Sequence, residues 1–219
     1  MKIAIDGPSG AGKSTISKKV SELMGFVYID TGAMYRAVGL KALYIGIDTK
    51  DEDALSSLLK DLVLDIKHEQ GSQHIYLDGE DVSSLIRTPE VSMAASDVSA
   101  IPSVREAMVY LQRNLAKNHN VVMDGRDIGT CVLPDAEVKI FLTASIEARA
   151  ERRFKELKEK GMDISFDDVK SDMERRDYND STRAASPLKI AEGAAVIDTS
   201  GMTLEESVKA VIDEIKKHY

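Results

Sequence analysis

Short apolar runs alternate along this chain with longer stretches in which apolar residues recur every three or four positions. Residues 2–6, 26–30, 120–124, 138–142 and 195–199 read as strands. Amphipathic helices read between them, and the order predicts an α/β fold with a central, mainly parallel five-stranded sheet flanked by helices. Several strand candidates end in an acidic or hydroxyl residue, among them Asp6, Asp30, Asp124 and Thr199. Those residues fall at the carboxyl ends of strands, where open α/β sheets place ligands. The last helix has the plainest signal. Thr203 and Glu206 make a capping box, and Leu204, Val208, Val211, Ile212 and Ile215 line one face.

Two segments break the alternation. Over about 61–83, Leu62, Leu64 and Ile66 alternate with Val63, Asp65 and Lys67. A polar turn with Gly71 follows, then His74-Ile75-Tyr76-Leu77 and the turn Asp78-Gly79. This predicts a small antiparallel unit inserted into the core, either a surface decoration or part of a site. From Ser145 to Arg183 the chain is highly charged and reads as two helices joined near Gly161. Such a segment is either a solvated helical face or a mobile cover. No internal repeat or low-complexity tract interrupts the chain.

The run Gly7-Pro8-Ser9-Gly10-Ala11-Gly12-Lys13-Ser14 sits between the first strand and a helix expected over 13–24. It is the G-x-x-x-x-G-K-[ST] phosphate-binding loop in its confirming context. With glycine near its usual ~7%, the bare pattern arises by accident in roughly one chain of this length in a hundred. The loop aims backbone N–H groups at a triphosphate, and glycine leaves room for the backbone to approach. The following helix adds its positive N-terminal end. Lys13 supplies a mobile charge for the β- and γ-phosphates, and the Ser14 hydroxyl a ligand for Mg²⁺.

Composition narrows the class. The 219 residues are 43% hydrophobic, enough for one core domain with insertions. A net charge of −8 argues against nonspecific binding to nucleic acid or to a membrane surface. Anionic substrates must then be met by local clusters of positive charge. Cys131 is the only cysteine, so no intrachain disulfide is possible; it reads as a small buried hydrophobe. The N-terminal pattern is not that of a signal peptide, and no run reaches transmembrane length, so a cytoplasmic protein is expected.

Of the basic residues, the lysines scatter over helix surfaces while several arginines sit in placed positions. Arg36 follows Asp30-Thr31-Gly32, and Arg126 lies in Asp124-Gly125-Arg126-Asp127 after another strand. Arg149, Arg152 and Arg153 share a helix face, as do Arg176, Asp180 and Arg183. Each group reads either as surface salt bridges, worth ~0–1 kcal/mol, or as phosphate-binding positions, for which arginine is well shaped.

Taken together, the motifs closely resemble the bacterial cytidylate kinases. They are the run from Ile5 to Thr15, Asp30-Thr31-Gly32-Ala33-Met34-Tyr35-Arg36, Ile86-Arg87-Thr88, the run from Asp124 to Thr130, and the run from Arg176 to Arg183. The resemblance extends almost end to end, with the motifs in order. It implies a P-loop nucleoside monophosphate kinase in one domain. The core would be about 1–36, 103–145 and 185–219, with a monophosphate-binding region at about 37–102 and a helical lid at about 146–184. The antiparallel unit would then belong to the monophosphate-binding region.

The resemblance also implies roles. Gly7, Pro8, Ser9, Gly10, Ala11, Gly12, Lys13, Ser14 and Thr15 would bind ATP. Thr31, Arg36, Ser96, Arg105, Arg126, Asp127, Arg176 and Asp180 would surround CMP. Of these, Arg36 and Arg126 would hold the phosphate, Ser96, Arg105 and Asp127 would read the cytosine, and Arg176 and Asp180 would reach the ribose. Lys13, Arg126 and Arg183 would stabilise charge in transfer, and Arg149, Arg152 and Arg153 would belong to the lid. Asp124 or Asp30 would orient a magnesium-bound water. Thr31 and Ser14 stand where related sequences also use serine and glycine; Thr31 keeps the hydroxyl, and Ser14 keeps the standard magnesium ligand. The implied reaction converts ATP and CMP, or dCMP, to ADP and CDP or dCDP. A phosphate acceptor with a second pKa of ~6 needs no general base. That accords with four histidines that all lie outside the motifs and read as surface or packing residues. A kinase of this size can work as a monomer. The rivals are a kinase for another monophosphate, such as UMP or AMP, and a nucleotide-dependent switch. The switch would want an Asn-Lys-x-Asp guanine reader, and none occurs.

Overall fold

The computed structural model describes residues 1–69 and 72–218, so the turn expected at Gly71 lies outside the described residues. In chain order the elements are β1 (Lys2–Asp6), α1 (Lys13–Met24), β2 (Val27–Asp30), α2 (Thr31–Tyr44), α3 (Glu52–Asp61), β3 (Leu64–Glu69), β4 (Ser72–Leu77), β5 (Glu80–Asp81), α4 (Pro89–Val98), α5 (Pro102–Ala116), β6 (Val121–Gly125), β7 (Val138–Thr143), α6 (Ile146–Glu159), α7 (Phe166–Thr182), β8 (Ala195–Asp198) and α8 (Leu204–Ile215). The central sheet has five strands in the order β2-β6-β1-β7-β8, and the β1–β6, β1–β7 and β7–β8 pairs are parallel. A second sheet, β3-β4-β5, is antiparallel. All five expected core strands form within one residue of their sequence bounds.

The chain divides into two compact units, Met1–Val27 with Asn120–Tyr219, and Tyr28–His119. In the first, β1 and β6 are buried on both faces, as central strands of a parallel sheet are. Ile3, Ile5 and Val122 pack with Ile16 and Val20 of α1 and with Val208, Val211 and Ile215 of α8. The α8 capping box forms as expected. The charged segment has a core of its own, in which Ala150 and Leu157 of α6 meet Val169 and Met173 of α7. Its expected joint is a loop opened by Gly161 at φ 75°, a left-handed conformation that suits glycine. After β6 the chain makes a π-helical turn, Ile128–Val132, in which Leu133 N–H reaches the Ile128 carbonyl at 2.7 Å.

In the second unit, α2 and α4 pack closely through Gly39, where an added Cβ would lie 3.0 Å from the Ala94 Cβ. Ile66 and Ile75 of the small sheet are buried, while Val63 is exposed, so the expected alternation holds. Asp78 and Gly79, at φ 52° and 89°, make the two-residue turn between β4 and β5. Among the described residues no helix is long and apolar enough to cross a membrane.

Candidate active site

In the first unit the phosphate-binding loop is held by close backbone packing. A Cβ on Gly7 would lie 2.0 Å from the Leu142 carbonyl oxygen, and one on Gly10 2.6 Å from the Met173 methyl. Gly7 is therefore required by the loop's own seat against β7, in addition to any need to approach phosphate, while Gly10 is favoured by its left-handed φ of 77°. Gly12 opens α1 in a left-handed conformation with no side-chain cap, which leaves a bare helix N-terminus facing the loop. Thr15 is exposed on the first turn of α1.

Lys13 is buried, and its Nζ donates to the Pro8 carbonyl at 2.7 Å. Burial, and then the charge of Arg126, push its pKa down to about 7; Asp124, Asp180 and Asp6 pull the other way. A bound triphosphate would supply the negative charge that a buried ammonium needs. Ser14 Oγ donates to Asp124 Oδ2 at 2.9 Å. Of the two carboxylates considered for the metal side, Asp124 thus joins the loop serine. Asp30 is committed elsewhere.

Arg126 emerges directly after β6 and donates from Nε to Asp180 Oδ2 at 2.7 Å. Arg183 lies 3.7 Å from Asp180 and 3.9 Å from Asp127. Burial raises the pKa of Asp180, but Arg126, Arg183 and Arg176 outweigh it and hold the carboxyl below its ordinary value. Burial likewise opposes the charge on Arg126, and Asp180 more than offsets it. Arg183 differs from its expected place on the helix face. It is the residue past the end of α7, and its Nε donates to the Ser186 carbonyl at 2.8 Å.

Arg149, Arg152 and Arg153 were expected on one face, yet each takes a different partner. Arg149 is buried; it donates to the Ala144 and Ser9 carbonyls at 2.9 and 3.0 Å and pairs with Asp177 at 2.7 Å. Arg152 donates to Thr199 Oγ1 at 3.2 Å and to the Thr199 carbonyl. Arg153 makes only a surface pair with Glu156 at 2.8 Å among its described bonds. The Thr199 hydroxyl also reaches the Ala11 carbonyl at 3.3 Å, so the loop after β8 touches the phosphate-binding loop.

In the second unit Asp30 caps α2, accepting from Ala33 N–H at 2.9 Å, and its other oxygen accepts from Arg36 Nη2 at 2.8 Å. Thr31 is buried at the first position of α2, and Ser96 is half-buried on α4. Arg105 is buried, donates to the Ser99 carbonyl at 3.0 Å, and lies 5.5 Å over the Tyr35 ring. These contacts fix its guanidinium beside α2 and the end of α4.

Sequence reasoning missed Gln73 and the partners of Asp6 and Asp177. Asp6, at the end of β1, accepts the Ile128 and Gly129 N–H groups at 2.8 Å each, pinning the π-helical turn that follows Arg126-Asp127. Burial pushes its pKa up to about 6 despite those bonds and nearby Lys13, with Asp127 adding to the rise. The available signal was an acidic residue ending an apolar strand. Gln73 carried no signal, and Asp177 only its place in the run from Arg176 to Arg183, since each matters through a partner distant in sequence. One minor expectation changes: Cys131 is half-buried, because it lies in the π-helical turn. His68 is exposed as expected, and it bonds the Tyr28 carbonyl at 2.7 Å.

A family model for cytidylate kinase matches residues 3–217. The chain is 53% identical over 213 residues to the cytidylate kinase of Caldicellulosiruptor saccharolyticus, covering 97% of this chain and 94% of that one. It is 52% identical over 220 residues to that of Caldanaerobacter subterraneus, covering 100% and 96%, and 50% identical over 217 residues to that of Enterococcus faecalis, covering 99% and 96%. Among solved structures, a gluconokinase from Sinorhizobium meliloti aligns with a TM-score of 0.52 at 16% identity, over 99% of this chain and 91% of that one. A shikimate kinase from Bacteroides thetaiotaomicron aligns at 0.51 and 12% identity, over 99% and 98%. At such identities the structural likeness is one of fold. The match over residues 3–217 is one of sequence as well, and the chain belongs to the cytidylate kinase family.

Proposed function

We propose that this protein transfers the γ-phosphoryl group of ATP to CMP, and also to dCMP, giving ADP and CDP or dCDP. One observation carries the reading. A single unit combines Lys13 and the Ser14–Asp124 pair, suited to a triphosphate, with an Arg126–Asp180–Arg183 network suited to a second phosphate. Membership of the family supports cytidine as the acceptor's nucleoside.

The loop from Gly7 to Thr15 binds ATP in this reading, and Lys13 follows the charge as it moves off the γ-phosphate. Ser14 Oγ and the Asp124 carboxylate, 2.9 Å apart, are hard oxygen donors that fit Mg²⁺. Held there, the ion would neutralise part of the triphosphate's charge. Arg36 and Arg126 hold the acceptor phosphate; Ser96, Arg105 and Asp127 read the base; Arg176 and Asp180 take the ribose, and Thr31 belongs to the same acceptor site. The acceptor is already ionised near neutral pH, with a second pKa of ~6, so no base is required. The protein's task is to bring two anions into line, and Arg126 and Arg183 with Lys13 screen their repulsion. Arg149 and Arg152, tied to Ser9 and Thr199, link the lid at about 146–184 to the triphosphate loop. Closing that lid excludes water as a competing acceptor. The core at about 1–36, 103–145 and 185–219 and the monophosphate-binding region at about 37–102 complete a kinase that works as a monomer in the cytoplasm.

A coupled assay of ADP release with CMP, dCMP, UMP and AMP tests the assignment. We expect the highest turnover on CMP and dCMP. Fast turnover on AMP with none on CMP would overturn it.

A further inference from the structure

The small antiparallel sheet makes a specific contact with β2. His68 and Gln73 face each other across the β3–β4 pair, so their side chains lie on the same face of that sheet. Both reach β2. His68 Nε2 donates to the Tyr28 carbonyl at 2.7 Å. Gln73 Oε1 accepts the Asp30 N–H at 2.8 Å, and its Nε2 donates to the Asp30 carbonyl at 3.3 Å. In a strand, residues two apart direct their main-chain groups to the same side, and one residue's N–H and C=O point that way together. Tyr28 and Asp30 are such a pair, and β2 ends the strand order of the central sheet. Side chains of the hairpin therefore answer backbone groups that an edge strand otherwise leaves to solvent. A carboxamide suits Asp30 because it carries a donor and an acceptor in one plane, as a peptide group does.

The Asp30 side chain turns to the other task. One oxygen caps α2 at Ala33 and the other accepts from Arg36, with Arg87 3.9 Å away. Gly32 between them leaves little slack, since a Cβ there would lie 3.2 Å from both Arg36 Nη1 and Asp30 Oδ1. The backbone of Asp30 is thus held by Gln73, and its carboxylate holds Arg36.

We infer that Gln73 is a positioning residue for the acceptor phosphate, acting through the Asp30 main chain and carboxylate on Arg36. The inserted hairpin then has a mechanistic use: it fixes the origin of the helix that carries a phosphate-binding arginine. The inference rests on the reading of Arg36 as a holder of the CMP phosphate.

Steady-state kinetics of Gln73→Leu, Gln73→Glu, Arg36→Ala and the double variant Gln73→Leu/Arg36→Ala test it. Gln73→Leu removes both bonds and should raise KM for CMP roughly tenfold, while KM for ATP stays within about twofold. Gln73→Glu keeps the acceptor for the Asp30 N–H but loses the donor, and should fall between wild type and Gln73→Leu. In the Arg36→Ala background, Gln73→Leu should have almost no further effect on KM for CMP, because the residue it positions is gone. If Arg36→Ala raises KM for CMP and both Gln73 variants leave it unchanged, the inference is wrong and the reading of Arg36 stands. Equal rises in KM for CMP and ATP would also overturn it, by reducing Gln73 to a general stabiliser. An unchanged KM for CMP in Arg36→Ala would overturn the Arg36 reading and the inference together.

Discussion

The two units build their charged sites in opposite ways. In Met1–Val27 with Asn120–Tyr219, partners come from far along the chain. Ser14 and Asp124 are 110 positions apart, Asp6 and Gly129 123, and Arg126 and Asp180 54. In Tyr28–His119, Arg36 reaches an aspartate six positions back, and Arg105 a carbonyl six positions back. The first arrangement needs the parallel sheet, which sets the ends of β1 and β6 side by side. The second needs mainly helix starts, although Gln73 and Arg87 also come to Asp30 from farther along the chain. A site assembled by the sheet concentrates buried charge, and that sets what each unit tolerates.

The sharpest way to break this comparison is Arg126→Ala. Its guanidinium is planar and held by Asp180, so neither alanine nor lysine reproduces it. We expect turnover to fall by about 10³ or more, with ATP affinity largely spared, as read by single-turnover kinetics and nucleotide titration. Near-normal turnover would mean that the distant network is scaffolding and that the local site does the work.

The pH dependence of stability in the ligand-free protein gives a smaller effect. The Asp6 pKa rises to about 6 from an ordinary 3.8, so the folded state holds a proton that the unfolded chain has lost between these values. The contribution of Asp6 is complete below about pH 3.8 and is lost as pH rises through 6. Lys13, lowered from 10.5 to about 7, runs the other way: its contribution is complete above 10.5 and is lost as pH falls through 7. Near neutrality both groups oppose folding, as expected where function requires buried charge. Denaturant unfolding of wild type against Asp6→Asn and Lys13→Met should show these two slopes, each at most about 1.4 kcal/mol per pH unit. Flat difference curves would remove the electrostatic contrast between the units.

The smallest effects separate the helical arginines. Arg149→Ala leaves Asp177 without its guanidinium and the Ser9 carbonyl without its donor, and should cost about 2–4 kcal/mol while raising KM for ATP. Arg153→Ala breaks one surface pair and should stay within about 0.5 kcal/mol of wild type. Equal losses for the two would show that burial does not rank them.

The legible part of the site was the part encoded over short distances. The phosphate-binding loop, the α8 capping box and the Asp78-Gly79 turn all formed where local chemistry put them. Helical spacing was less informative. Arg149, Arg152 and Arg153 are close on α6, yet their partners come from the phosphate-binding loop with α7, from the end of β8, and from α6 itself. Spacing tells which residues share a face, and packing tells what that face meets. Asp6 was visible as an acidic strand end, but its work on the turn after Asp127 was not, because nothing local distinguishes it from Asp30 or Asp124.

By itself the sequence determined the order of strands and helices and the triphosphate loop, because periodicity, caps and glycine positions act within a few residues. Through its resemblance it also pointed to the family. Only the tertiary structure decided the partners: that Ser14 meets Asp124, that Asp180 holds Arg126, that Asp6 pins a distant turn, and that Gln73 clasps Asp30. The reason is physical. Hydrogen bonds and ion pairs depend on ångström-scale position, and strand order and helix packing set that position across tens of residues at once.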